Sequence, residues 1–135
     1  MVRLKWEVIG VTPTKGFNPA FDLCLKFGEQ YENEFQKIVE SKKIEVKTDR
    51  ITQRTGNVFI EYESRGKDSG LTTTKADYWV YCLWTDIRKK QTYIFVPTDR
   101  LKKIIKQGNY KETRGGDNLT SKGYLVPAGD LLKLI

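Results

Sequence analysis

Two acidic side chains, Asp49 and Glu61, stand in segments whose alternation would turn them toward each other. In KIEVKTDRI, at 43–51, Ile44, Val46 and Thr48 share one side of an extended chain, and Glu45, Lys47 and Asp49 share the other. In VFIEYES, at 58–64, Glu61 and Glu63 lie on one side and Ile60 and Tyr62 on the other. Period-two patterning of this kind belongs to half-buried strands. The intervening QRTGN, at 53–57, forms turns, so the pair reads as a β-hairpin. With the turn centred near Thr55, Asp49 faces Glu61, Lys47 faces Glu63 and Glu45 faces Arg65. Like charges directly opposite one another destabilise a hairpin. A divalent cation between them removes the conflict, and Mg²⁺ needs only one or two protein carboxylates, with water and substrate phosphate completing its shell. Water bound to such an ion is acidic enough to attack phosphorus. The plainer alternative is a solvated sheet face, on which Lys47–Glu63 and Glu45–Arg65 are exposed ion pairs that contribute little.

Composition narrows the chemistry. The 135 residues include no histidine, which excludes Ser-His-Asp and Cys-His mechanisms and most zinc sites. Hydrolysis by this chain would rest on carboxylates, lysines and a hard cation. The 24 Lys and Arg outnumber 17 Asp and Glu, for a net charge of +7, and such an excess favours a polyanion such as nucleic acid. Cys24 and Cys82 lie in the apolar runs LCL and YCLW and are expected as buried, reduced thiols. No apolar run is long enough to cross a bilayer, and MVRLKWEVIGVTP lacks a signal-peptide core. The expected setting is the cytoplasm, and the length suits a single domain over 1–135.

The elements that must position the acids can be read along the chain. RLKWEVIGV (3–11) suits a short strand, and the proline- and glycine-bearing 12–19 a turn. Phe27, Tyr31, Phe35, Ile38 and Val39 recur at helical spacing and predict a helix ending near Ser41, with Glu29, Glu32 and Glu34 in its early turns. After the hairpin, RGKDSGLTTTK (65–75) reads as an exposed loop. ADYWVYCLW (76–84) and TYIFVP (92–97) read as strands, joined by a turn through DIRKKQ, with Trp79, Tyr81 and Trp84 in the core. Thr98 or Asp99 is expected to cap a helix that Gly108 ends, with Lys102, Lys103 and Lys106 on its outer face. A polar loop, a short edge strand at 123–127 and a terminal half-turn complete the chain. The expected fold is α/β, a mixed central sheet of four or five strands flanked by helices.

In this order of elements the chain resembles the PD-(D/E)XK, or restriction-endonuclease-like, nuclease superfamily. The resemblance spans about residues 20–84 and extends to small phage-type nucleases through FGEQYENEF, KIEVKTDR and TGNVFIEYESRGKDSGLTTTKADYWVY. It implies a Mg²⁺- or Mn²⁺-dependent DNA endonuclease. Glu32 on the first helix, Asp49 on one strand and Glu61 on the next would be the metal ligands, with Glu29 as an alternative to Glu32. The superfamily's motif places a lysine two residues after the second strand acid, where this chain has Glu63. Lys47, expected beside Glu63, is the first candidate to replace it and Lys67 the second, so that Asp49, Glu61, Glu63 and Lys47 form the catalytic set. A competing assignment takes Glu45-Val46-Lys47 as the acidic-x-Lys motif. Arg65, Lys67, Ser69, Thr73 and Lys75, directly after the second strand, would grip DNA phosphates. A homodimer is the form expected to make a double-strand cut. Two rival expectations are a non-catalytic nucleic-acid-binding module on the same fold and a phage-encoded factor that binds a host protein.

Overall fold

In the computed structural model, residues 19–84 and 91–133 are described. The expected strand at 3–11, most of the turn that follows it and the turn through 85–90 lie outside them. By internal packing the chain divides into Met1–Ile38 and Val39–Ile135. Most of the first helix, α1 (Pro19–Ser41), falls in the first unit. Its apolar residues recur along one side, and Phe27 and Tyr31, one turn apart, bring their ring centroids within 4.6 Å.

The second unit is mixed α/β with two sheets. Strands β1 (Ile44–Asp49) and β2 (Asn57–Ser64) are separated by the helical turn α2 (Thr52–Thr55). A short β3 (Lys67–Asp68) follows, then β4 (Tyr78–Trp84), β5 (Gln91–Pro97), α3 (Thr98–Gln107), β6 (Lys111–Gly115) and β7 (Ser121–Pro127). One sheet has the order β1-β4-β5 and the other β3-β2-β7-β6. The four- or five-stranded central sheet expected from the sequence is therefore divided in two.

The hairpin is overturned with it. β1 pairs in parallel with β4, Glu45 opposite Trp79, Lys47 opposite Tyr81 and Asp49 opposite Leu83. β2 pairs antiparallel with β7, Glu61 opposite Gly123. The physical reason lies in the connection. Asp49 Oδ1 accepts hydrogen bonds from the N–H groups of Ile51 and Thr52, at 2.8 and 3.0 Å, and starts the helical turn α2. Gly56, at φ 72, closes that turn in the left-handed region, where glycine meets no steric penalty. A helical turn re-aims the chain, whereas a tight β-turn would have folded it back on itself.

The core lies between the sheets and under α3. Val58, Ile60 and Val126 from one sheet meet Trp79, Tyr81, Leu83 and Val96 from the other, with Leu71, Leu101 and Leu131 completing the cluster. Trp79 and Tyr81 are each 1% exposed, as the sequence implied for this strand. Three further expectations are corrected. β7 is an interior strand, because β6, expected as loop, pairs along its other side. Cys24 is exposed; Cys82 is buried, and both are free. The α3 N-terminus has no side-chain cap, since the Thr98 hydroxyl donates instead to the Ala76 carbonyl at 2.7 Å and ties α3 to the start of β4.

Candidate functional site

β1 turns its charged side inward. Glu45, Lys47 and Asp49 are half-buried, whereas Val46 is 59% exposed. The alternation expected from the sequence holds, but the side that carries the charges lies against Trp79 and Tyr81 of β4. Each charge has a partner that makes this tolerable. Lys47 Nζ lies 2.6 Å from Glu45 Oε1 and 5.2 Å from the centre of the Trp79 ring, an ion pair and a cation–π contact together. Thr74 donates its hydroxyl to Glu45 Oε2 at 2.7 Å and accepts from Trp79 Nε1 at 3.2 Å. Burial would raise the Glu45 pKa, but the hydrogen bonds from Lys47 and Thr74 and the charge of Lys47 outweigh it, and the carboxyl titrates below its usual value.

The Asp49 carboxylate reaches the backbone of β2, the strand that carries Glu61. Among the described residues, this strand pairs over 57–61 with β7 alone, which leaves its other edge to other groups. Asp49 Oδ2 accepts from the Phe59 N–H on that edge at 3.3 Å. Two residues further on, Gly70 packs against the Glu61 carbonyl, and Ser69 donates its hydroxyl to Glu61 Oε1 at 2.7 Å. Gly70 has φ 51, and a Cβ there would overlap the Glu61 carbonyl oxygen, so glycine alone permits this approach.

The Tyr81 hydroxyl is a feature that the sequence did not reveal. It is buried and, among the described residues, has no hydrogen-bond partner. Burial, followed by the negative charges of Asp49 and Glu45, pushes its pKa well up, so the hydroxyl stays protonated beside both acids.

The remaining site residues are distributed as follows. Glu63 pairs with Lys122 of β7 at 2.8 Å, which corrects its expected place beside Lys47: the two strands belong to different sheets. Glu32 and Glu29 are exposed on α1 in the first unit. Arg65, Lys67, Thr73 and Lys75 are exposed around β3 and the turn that follows it, while the half-buried Ser69 is bonded to Glu61. Asp77 is structural, accepting from the Lys43 N–H at 2.9 Å. Among the described residues, no three acidic or cysteine side chains come close enough to hold a metal ion together. No helix among them is long and apolar enough to cross a membrane. Comparison with protein-family models, curated proteins and solved structures found no match for the chain.

Proposed function

We propose that this chain is a metal-dependent phosphodiesterase acting on DNA, with a restriction-endonuclease-like origin for its acid set. The observation that carries the proposal is that the Asp49 carboxylate binds the backbone of β2 at Phe59, two residues before Glu61 on the same strand. Two carboxylates are chemically suited to a hard cation. In this proposal Asp49 and Glu61 hold Mg²⁺ or Mn²⁺, which when bound supplies a nucleophilic water and neutralises charge on the phosphate. Ser69 orients the Glu61 carboxylate. Lys47, already fixed between Glu45 and Trp79, supplies the positive charge that the motif's missing lysine would have carried, and Glu63 is left to its partner Lys122. Arg65, Lys67, Thr73 and Lys75, exposed on the surface, would meet the DNA backbone.

One observation favours a second reading, a nucleic-acid-binding module without catalysis. The Asp49 carboxylate already accepts three backbone N–H groups, which is sufficient reason for an aspartate there. The experiment that separates the two is incubation with linear and branched DNAs in Mg²⁺ or Mn²⁺, alongside Asp49→Asn and Glu61→Gln. Both substitutions keep side-chain oxygens that can accept hydrogen bonds. Metal-dependent cleavage lost in both variants is the expected result. Absence of cleavage by the unaltered chain, with DNA binding intact, would favour the second reading.

A further inference from the structure

A groove outside the acid cluster joins three elements of the second unit. Tyr62 and Tyr124 project from the paired strands β2 and β7, with ring centroids 5.0 Å apart and planes inclined by 36°. Lys102, Ile105 and Lys106 of α3 line it with them, as do Leu71 and Thr72. The volume is about 330 Å³, at the lower end of the range of ligand sites, roughly 300–1,000 Å³. On the far side of Tyr62 a second hollow, about 170 Å³, is bordered by Glu112, Thr113, Arg114 and Lys122. The first hollow thus carries two cations, whereas in the second Glu112 and the Glu63–Lys122 pair offset much of the positive charge.

The chemistry of the lining is selective. Lys102 and Lys106 are exposed, and neither has an acidic partner among the described residues. The acids nearby are engaged: Glu112 accepts from the Tyr62 hydroxyl at 3.3 Å, and Glu63 holds Lys122. That leaves aromatic surface flanked by positive charge. A nucleobase offers a π-face to such a ring, and the adjoining phosphates complement the lysines. In an intact duplex the base faces are covered by their neighbours, so recessed rings reach only an unstacked base.

We propose that this groove is a binding track for single-stranded nucleic acid. A base stacks on the Tyr62–Tyr124 pair, and the adjoining phosphates lie against Lys102 and Lys106, with Arg114 on the other side of Tyr62. The proposal is independent of cleavage. It would deliver an unpaired strand to the same unit that carries Asp49 and Glu61, and it also stands if the acid cluster is inert.

The test is fluorescence anisotropy with a labelled oligothymidylate in EDTA, which removes any catalytic ion. Tyr124→Ala is expected to weaken binding by roughly tenfold or more, the effect of removing one base–aromatic stack. The surface double variant Lys102→Gln/Lys106→Gln, which disturbs no core residue, should flatten the salt dependence by about 1.4 in log–log slope, 0.7 for each phosphate no longer neutralised. An oligonucleotide abasic at every position should bind the unaltered chain and Tyr124→Ala alike. A Tyr124→Ala protein whose thermal unfolding matches the parent and which still binds with parental affinity would overturn the proposal. So would an unchanged salt slope in the lysine variant, or tighter binding of a duplex than of the single strand. Because EDTA is present throughout, failure here is separable from failure to cleave.

Discussion

The buried Tyr81 hydroxyl offers a sharp test of the acid cluster. Tyr81 is 1% exposed and its oxygen has no partner among the described residues. A buried hydroxyl left without a hydrogen bond costs about 1–3 kcal/mol. Tyr81→Phe deletes that oxygen and keeps the ring, so contacts with Trp79, whose centroid is 6.2 Å away, are retained. The deletion also removes the dipole that Asp49 and Glu45 act upon. In EDTA the variant should be more stable than the parent by about 1 kcal/mol, equivalent to roughly 3–5 °C in Tm for a chain of this size. Urea denaturation should show a higher midpoint with an unchanged slope, since the exposed surface is the same. Because that oxygen lies out of reach of solvent, metal-dependent cleavage should be kept in the variant that gains stability. A Tyr81→Phe protein that loses 1 kcal/mol or more in EDTA would refute this reasoning, because the hydroxyl would then be satisfied in the free protein.

Other substitutions separate structure from chemistry. Asp49→Ala should cost about 1–2 kcal/mol by leaving the start of α2 uncapped, whereas Asp49→Asn, which keeps one acceptor oxygen, should cost less while still abolishing metal-dependent cleavage; parallel thermal melts and cleavage assays check both. Gly70→Ala forces a Cβ toward the Glu61 carbonyl and should destabilise by about 1–3 kcal/mol, read as a lower urea midpoint. The folded-state pKa of Glu45 lies below its ordinary 4.5, so its contribution is present above pH 4.5 and fades as the pH falls through the lower folded value. Lys47→Met should therefore be less stable than the parent at neutral pH, and urea titrations should find the gap narrowing in acid. A gap that widens in acid would show that the carboxylate gains nothing from Lys47.

The local order of the chain was legible in its residues. The helix to Ser41, the alternation in 43–51 and 58–64, the buried strand around Trp79 and the helix that begins at Thr98 all follow from periodicity and turn chemistry, which act over a few residues. The candidate acids Asp49 and Glu61 could be named on the same basis. Strand partners could not, because alternation says which side chains share a face and nothing about which strand lies alongside. Here a single local choice decided the pairing. The Asp49 carboxylate captured the N–H groups of Ile51 and Thr52, the chain entered a helical turn, and β1 and β2 went to different sheets. Which face of β1 is inward was likewise settled by distant groups, since Thr74, Trp79 and the Lys47–Glu45 pair make a charged face tolerable beside the core. The unpartnered Tyr81 hydroxyl and the tyrosine–lysine groove exist only because strands and a helix remote in sequence pack together. Contacts of that kind depend on the free energy of the whole unit, which no short window of residues contains.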